Sequence, residues 1–177
     1  MLDGISVRRV LLSEAQRVRS IRLEALRDPV AGIAFIETLA DAESRPTAFW
    51  QERAAGAALS ESAAQFVAEA GRDWVGTVTV LIPEPGALDY FGRPAVSGRA
   101  DVVSVYIRPS HRGRGILDAL MTAAADWSRS KDQTELALDV HADNPRAQAA
   151  YARAGFVATG ATIDGPNGIE NEMVRPL

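Results

Sequence analysis

Residues 105–117 read Val-Tyr-Ile-Arg-Pro-Ser-His-Arg-Gly-Arg-Gly-Ile-Leu, and this stretch decides the fold class. It joins a β-branched run at 100–107 to a segment, 115–130, whose apolar residues recur at helical spacing. Gly113 and Gly115 lie one residue apart in the turn between them. The stretch therefore predicts a strand, a glycine-containing turn and an amphipathic helix in direct succession.

This turn has the properties of an anion-binding site. The first turn of a helix presents unpaired N–H groups and the positive end of the helix dipole, and glycines let a ligand approach the backbone closely. Cationic or potentially cationic side chains are concentrated here, at Arg108, His111, Arg112 and Arg114. We expect a pyrophosphate as ligand, with the three arginines facing it. The alternative is a solvated, arginine-rich helix cap, because short glycine motifs also match by chance.

The rest of the chain predicts one α/β domain, residues 1–177, without repeats or linkers. Runs typical of strands lie at 5–12, 64–70, 74–81, 100–107, 135–141, 156–161 and 169–174. Helical periodicity and stop signals predict helices at about 15–26, 46–58, 115–130 and 144–155. The segments 30–45 and 83–98 remain without a regular pattern, and the second is a loop rich in glycine and proline.

Composition excludes several function classes. The 177 residues carry 19 Lys plus Arg against 23 Asp plus Glu, a formal charge of −4, which argues against a nucleic-acid partner. The absence of cysteine excludes disulfides, thiolate metal sites and a cysteine nucleophile, and two histidines make a metal centre unexpected. Residues 1–10 lack a signal-peptide core, and no apolar stretch approaches the ~20 residues of a membrane span. We therefore expect a cytoplasmic protein with neither a metal nor a membrane partner.

A second motif follows the strand at 135–141. Residues 144–156 read Asn-Pro-Arg-Ala-Gln-Ala-Ala-Tyr-Ala-Arg-Ala-Gly-Phe. Together with 105–117, this motif resembles the GNAT superfamily of acyl-CoA-dependent N-acyltransferases. The family pattern Asn-x-x-Ala-x-x-x-Tyr-x-x-x-Gly-Phe falls on Asn144, Ala147, Tyr151, Gly155 and Phe156.

The first family pattern, Gln/Arg-x-x-Gly-x-Gly/Ala, falls on Arg112, Gly115 and Leu117. Leu117 departs from the small residue that the pattern prefers, so its side chain could crowd the turn, although its backbone N–H stays available. Residues 172–177 look like the family's final strand. The resemblance is specific over 100–177 and only topological before that.

For the fold, the resemblance implies a single mixed, mostly antiparallel twisted sheet of the α+β type, with helices on both faces. Coenzyme A would lie where two parallel strands splay apart, here 100–107 and 135–141. By position, the resemblance implies that backbone groups of Val105, Tyr106 and Ile107 pair with the pantetheine arm and that Asn144 hydrogen-bonds it. The pyrophosphate would be held at the turn and first helical residues, at Arg112, Gly113, Arg114, Gly115, Ile116, Leu117 and Asp118.

For the chemistry, the resemblance implies transfer of an acetyl group from acetyl-CoA to a primary amine of a small molecule or peptide. The absence of cysteine agrees with direct attack by the amine. Tyr151 matches the family tyrosine that protonates the leaving thiolate; the alternative is a core aromatic on the buried face of its helix. The competing class is a non-catalytic acyl-CoA sensor with the same fold. A homodimer is also compatible with the family.

Two carboxylates compete as general base. Asp101 begins the strand at 100–107, and Asp139 lies on its partner strand. Either could instead be a hydrogen-bonded structural acid. An aspartate is shorter than the glutamate of some relatives, which favours a base acting through a water molecule, and we favour Asp101.

The remaining side chains with distinctive chemistry receive weaker predictions. We expect His111 and His141 at surface or supporting positions. The three tryptophans, Trp50, Trp74 and Trp127, are expected to pack in the core. The acceptor side has aromatic candidates at Phe35, Trp50, Tyr90 and Phe91, and the sequence leaves the acceptor itself open.

Overall fold

The structure is a computed structural model that describes residues 4–177, so the first three residues of the predicted domain lie outside it. Its strands form one seven-stranded sheet in the order β1-β2-β3-β4-β5-β7-β6. The strands are β1 (Ile5–Arg9), β2 (Ala63–Ala70), β3 (Asp73–Leu81), β4 (Arg99–Ile107), β5 (Glu135–His141), β6 (Val157–Gly165) and β7 (Gly168–Pro176). The helices are α1 (Ala15–Leu26), α2 (Ala31–Ala34), α3 (Leu39–Ser44), α4 (Thr47–Leu59), α5 (Ile116–Arg129) and α6 (Pro145–Arg153).

The helices pack against the sheet and form two separate hydrophobic cores with it. The apolar stripe of α5 packs with inward-facing residues of β2, β3, β4 and β5, including Leu120, Met121 and Leu136. The second core joins α1 and α4 to Val67, Trp74 and Tyr106. Trp50 is fully buried there, so the prediction that the tryptophans pack in cores is confirmed for it and for Trp74. None of the helices described over 4–177 has the length and apolar character needed to span a membrane.

The parallel pair of strands diverges, as the resemblance implied. Every neighbouring pair is antiparallel except β4 and β5, which pair only from Arg99 to Asp101. Beyond Asp101, β4 carries a bulge opposite Thr77–Thr79, and Ser104 adopts a left-handed conformation with φ of 54°. The edge of β4 that would face β5 is therefore free of strand partners near its end, which opens a cleft between the two strands.

Three segments differ from the sequence prediction. The predicted irregular stretch at 30–45 contains α2 and α3, and a capping box at Thr38 and Asp41 starts α3. The first strand ends at Arg9, whose guanidinium donates to three backbone carbonyls at and beyond the end of α4. The final hairpin is longer than predicted, because β6 continues to Gly165.

Candidate active site

The cleft between β4 and β5 opens into a cavity of about 470 Å³, within the range that binds small-molecule ligands. The end of β4, the turn before α5 and one face of α6 line it, and the segment 28–35 closes its far side. We call this space the donor cavity. All residues of the predicted coenzyme A site except Arg114 line it.

The turn before α5 leaves its backbone donors unused. Gly113 and Gly115 have φ of 73° and 77°, a conformation that strongly favours glycine. The first hydrogen bond of α5 runs from Ala119 N–H to the Gly115 carbonyl, at 3.1 Å. None of the six N–H groups from 113 to 118 donates to another residue within 4–177. This row of free donors at a helix N-terminus fits a pyrophosphate, and it includes the N–H of Leu117.

Of the three arginines expected to face the pyrophosphate, Arg112 lines the donor cavity and Arg108 and Arg114 do not. Arg108 and Arg112 are each paired with a carboxylate, and the expectation that Arg108 faces the ligand is wrong. Arg108 donates two hydrogen bonds to Glu24 on α1, at 2.7 and 2.8 Å. Arg112 donates to the Ile107 carbonyl at 2.9 Å and to Asp28 at 2.5 Å. Their partners lie about eighty residues away in sequence, so these guanidinium groups attach the turn to α1 and the segment that follows it.

Other cations are available at the donor cavity. Arg146 and Arg153 line it from α6, and Arg114 lies in the turn itself. None of these three forms an ion pair with a residue that the structure describes. The sequence prediction missed the two arginines of α6, although their seven-residue spacing places them on one helix face.

The cleft-facing edge of β4 offers backbone groups to a ligand. Arg108 N–H donates to the Val75 carbonyl on β3, at 2.8 Å. Because backbone groups alternate along a strand, those of Tyr106 also face β3, whereas those of Val105 and Ile107 face the cleft. Only Val105 and Ile107 of the three predicted residues can therefore pair with a ligand by their backbone. The Ile107 carbonyl already accepts from Arg112, which leaves its N–H and both groups of Val105.

Tyr151 and Asn144 lie at the same cavity. The ring of Tyr151 packs edge-on against Phe156, with centroids 6.0 Å apart, and its hydroxyl has no hydrogen-bond partner among the described residues. Burial and then the nearby Glu170 carboxylate raise the pKa of Tyr151, so it stays protonated at neutral pH. Asn144 caps α6 by accepting from Ala147 N–H at 3.2 Å, while its side-chain NH₂ group remains free toward the cavity.

The two candidate bases have different surroundings. Asp139 accepts from the Tyr90 hydroxyl at 2.6 Å and from both terminal nitrogens of Arg93, at 2.6 and 3.0 Å. Asp101 is buried and accepts no hydrogen bond from any residue of 4–177. Burial and then repulsion from Asp89 and Asp139 raise the pKa of Asp101 to about 6. Asp139 thus anchors the loop after β3, and Asp101 keeps its lone pairs available.

Comparison with known proteins agrees with this geometry. Residues 24–156, well over half of the chain, match the sequence profile of the acetyltransferase (GNAT) family. The chain belongs to the GNAT acetyltransferase family. Streptothricin acetyltransferase from Streptomyces lavendulae is 33% identical to it over 93 residues, which are 51% of this chain and 49% of that protein. The match thus spans about half the length of this relative.

Solved structures share the GNAT fold over nearly the whole chain. A GNAT family acetyltransferase from Streptococcus pneumoniae superposes with a TM-score of 0.73 at 16% identity, covering 98% of this chain and 99% of that one. A phosphinothricin acetyltransferase from Sinorhizobium meliloti, in complex with AcCoA, gives a TM-score of 0.72 at 18% identity, covering 98% and 89%. At such identities the likeness confirms the fold class and nothing finer.

The histidines of this GNAT chain differ in role. His141 is buried, and its Nδ1 accepts from Asp143 N–H at 3.0 Å. Its Nε2 therefore carries the hydrogen and donates to the Asn167 carbonyl at 3.0 Å. With both ring nitrogens engaged, His141 fastens the β6–β7 turn to the end of β5, a supporting and not a surface position. His111 bonds to the neighbouring Ser110 hydroxyl at the rim of the donor cavity.

The four aromatic residues expected on the acceptor side lie in different parts of the structure. Trp50 is fully buried and cannot contact an acceptor, so that expectation is wrong. Phe35 lines the donor cavity, Tyr90 holds Asp139, and Phe91 lies against the β6–β7 turn at Gly165. These contacts are between segments distant in sequence, which residue type alone does not indicate.

Two matched glycine substitutions test whether the turn before α5 binds the pyrophosphate. We expect Gly113→Ala to weaken coenzyme A binding about tenfold by calorimetry, because the left-handed backbone is strained and the added methyl lies where the ligand approaches. Gly86→Ala is the control, since Gly86 also has positive φ and also has no atom within 4 Å of an added Cβ. Equal affinities for the two variants would contradict the placement of the pyrophosphate.

Proposed function

We propose that this protein transfers an acetyl group from acetyl-CoA to the primary amine of a small molecule or peptide. One observation carries the proposal: five residues with unpaired N–H groups at the start of α5, and Tyr151 with its unpartnered hydroxyl, line one cavity. A phosphate-bearing thioester bound along that cavity would have its pyrophosphate at one end and its sulfur near a proton donor.

The donor substrate would be held mainly by backbone groups. The N–H groups of 113–118 would bind the pyrophosphate, supported by the charges of Arg114, Arg146 and Arg153. The free N–H and carbonyl of Val105, with the N–H of Ile107, would pair with the pantetheine arm as an added strand does. The unpaired NH₂ group of Asn144 would donate to a pantetheine carbonyl.

The reaction needs a proton acceptor for the amine and a proton donor for the sulfur. In the proposed step, the amine nitrogen forms a bond to the acetyl carbon, and the carbon–sulfur bond breaks with its electron pair going to sulfur. Asp101 accepts the proton that the amine loses, through a water molecule. Tyr151 donates its hydroxyl proton to the leaving sulfur. Asp139 takes no part in proton transfer, because Arg93 and Tyr90 occupy its oxygens.

Thiol release from acetyl-CoA across a panel of amines tests the proposal. We expect release that depends on the presence of an amine and saturates with its concentration. Coenzyme A binding without amine-dependent release would instead favour the non-catalytic sensor. Loss of binding as well would overturn the assignment of the donor cavity.

A further inference from the structure

Phe35 is an aromatic residue in the wall of the donor cavity. It belongs to the segment 28–35, which closes the far side of this cavity, and it also packs against the second hydrophobic core. The groups proposed to hold the pyrophosphate and the pantetheine arm come from β4, the turn before α5, and α6. Phe35 is therefore available to contact another part of the donor.

The two ends of this segment are fixed at different places along the cavity. At one end, the Asp28 carboxylate is only 4% exposed and accepts from Arg112, in the turn before α5, at 2.5 Å. At the other end, the Phe35 carbonyl accepts from the Asn167 side chain at 2.9 Å. The Asn167 carbonyl in turn accepts from His141, the last residue of β5, at 3.0 Å. The segment therefore runs from the proposed position of the pyrophosphate to the end of β5.

Tyr151 lies at the same end of the cavity as Phe35. His141 pairs with Glu170 where β5 and β7 run side by side. Burial and then the charge of Glu170 raise the pKa of Tyr151, and a charge acts in this way only from nearby. The proposed proton donor, and with it the sulfur of a bound thioester, therefore lies beside the strand pair to which Phe35 is attached. The acyl group is bonded to that sulfur, so Phe35 is the largest apolar side chain that the segment 28–35 offers to it.

The ring of Phe35 is held in place from behind. The Arg22 guanidinium lies 4.7 Å from its centroid, and the Arg22 side chain is only 10% exposed and bound to Glu37 at 2.9 Å. Arg22 itself does not line the donor cavity, so it supports the ring from the side of α1. A ring that is packed in this way resists displacement, because closely packed groups accommodate added volume only at a cost in free energy.

We propose that Phe35 limits the acyl group of the donor to about the size of acetyl, and that Arg22 positions the ring for this role. A longer acyl chain would have to displace the ring. Alanine at this position would leave space in its place, and each methylene buried there would then strengthen binding about fourfold. The inference rests on the proposed donor site and acetyl transfer, and it names the residue that selects the acyl group.

Calorimetric binding of acetyl-CoA, butanoyl-CoA and free coenzyme A tests this limit without an acceptor amine. For the native protein, we expect butanoyl-CoA to bind at least about tenfold more weakly than acetyl-CoA, as overpacking of a closely packed site predicts. In Phe35→Ala, butanoyl-CoA should bind at least as tightly as acetyl-CoA, and the affinity for free coenzyme A should stay nearly unchanged. Should Phe35→Ala fail to fold, Phe35→Leu carries the same test with a smaller expected change.

Phe49→Ala is the matched control. The Arg45 guanidinium lies 4.8 Å from the Phe49 ring centroid, as Arg22 does at Phe35, but Phe49 does not line the donor cavity. This variant should keep the preference for acetyl-CoA. Arg22→Gln should reduce the preference to less than about threefold at unchanged affinity for free coenzyme A, because the ring loses its support. Arg45→Gln should leave the preference as in the native protein.

Two results would overturn this inference: equal affinity of the native protein for the two thioesters, or the same discrimination against butanoyl-CoA in Phe35→Ala. Both leave the proposed acetyl transfer standing, because amine-dependent thiol release tests that transfer separately. Thioester binding with the expected preference, but without thiol release for any amine, would overturn the proposed transfer alone. Loss of coenzyme A binding in the native protein would overturn both.

Discussion

Replacement of Asp101 by asparagine should lower kcat/KM at least about a hundredfold, the usual contribution of a positioned general base. Asp101 is the buried carboxylate beside the cleft that accepts no hydrogen bond within residues 4–177, so its oxygens are free to receive a proton. Asparagine keeps the size of the side chain and removes its basicity. Steady-state thiol release with a saturating donor measures the effect.

The pH dependence of the same reaction tests whether Asp101 itself is the general base. With a pKa of about 6, Asp101 is protonated below that pH and cannot accept a proton. For the native enzyme, kcat/KM should therefore fall about tenfold for each pH unit below 6, and this acidic limb should be absent in Asp101→Asn. A variant that keeps the limb would show that another group is the base.

The free energy of unfolding distinguishes whether Asp101 is an unpaired base or a hydrogen-bonded structural acid. Because the pKa of Asp101 is raised above its ordinary value of 3.8, ionisation of Asp101 destabilises the folded protein as pH rises through about 6. Asp101→Asn should then be more stable than native protein at pH 8, by at most about 3 kcal/mol in denaturant unfolding. Asp139→Asn is the control: it should be less stable, since Arg93 loses a partner, and should keep the acidic limb.

Tyr151→Phe should reduce kcat more than about tenfold, because the leaving sulfur loses its proton donor, while the affinity for coenzyme A stays nearly unchanged. The ring and its contact with Phe156 are retained, and only the unpartnered hydroxyl at the donor cavity is lost. Turnover and calorimetric binding of the purified variant measure the two effects. A kcat equal to that of native protein would contradict the role as proton donor.

Turns and strands that depend on neighbouring residues could be predicted from the sequence. Gly113 and Gly115 indicated a turn between a strand and a helix, and the structure places them between β4 and α5, with φ of 73° and 77°. The alternation of 135–141 likewise predicted β5 with its correct bounds. These patterns depend on neighbouring residues only, because backbone sterics and period-two burial act within a few positions.

Hydrogen bonds and ion pairs between side chains far apart in sequence could not be predicted in this way. The sequence left Asp101 and Asp139 as competing candidates, with Asp101 favoured. The structural difference between them comes from Arg93 and Tyr90, which lie 46 and 49 residues before Asp139. Arg108 and Arg112 similarly found partners on and beyond α1. From the sequence alone, a charged residue in a turn is expected to face solvent. Tertiary packing decides which of these charges forms an ion pair.

Arg22 shows the same limit within a helix. It lies in α1 between apolar positions, a spacing typical of a solvent-facing charge. In the folded chain its guanidinium lies 4.7 Å from the ring centroid of Phe35, and among the described residues only Glu37 forms an ion pair with it. The burial of Arg22, with Nη1 left unpartnered, is therefore a property of the packing of the segment 35–37 against α1.

Mass spectrometry after incubation with acetyl-CoA and a primary amine tests the central claim most directly. The amine should gain one acetyl group for each coenzyme A released, and the protein should remain unmodified, as direct transfer without a cysteine requires. An unchanged amine in the presence of bound acetyl-CoA would contradict acetyl transfer, and an acetylated protein that passes its acetyl group to the amine would contradict direct attack.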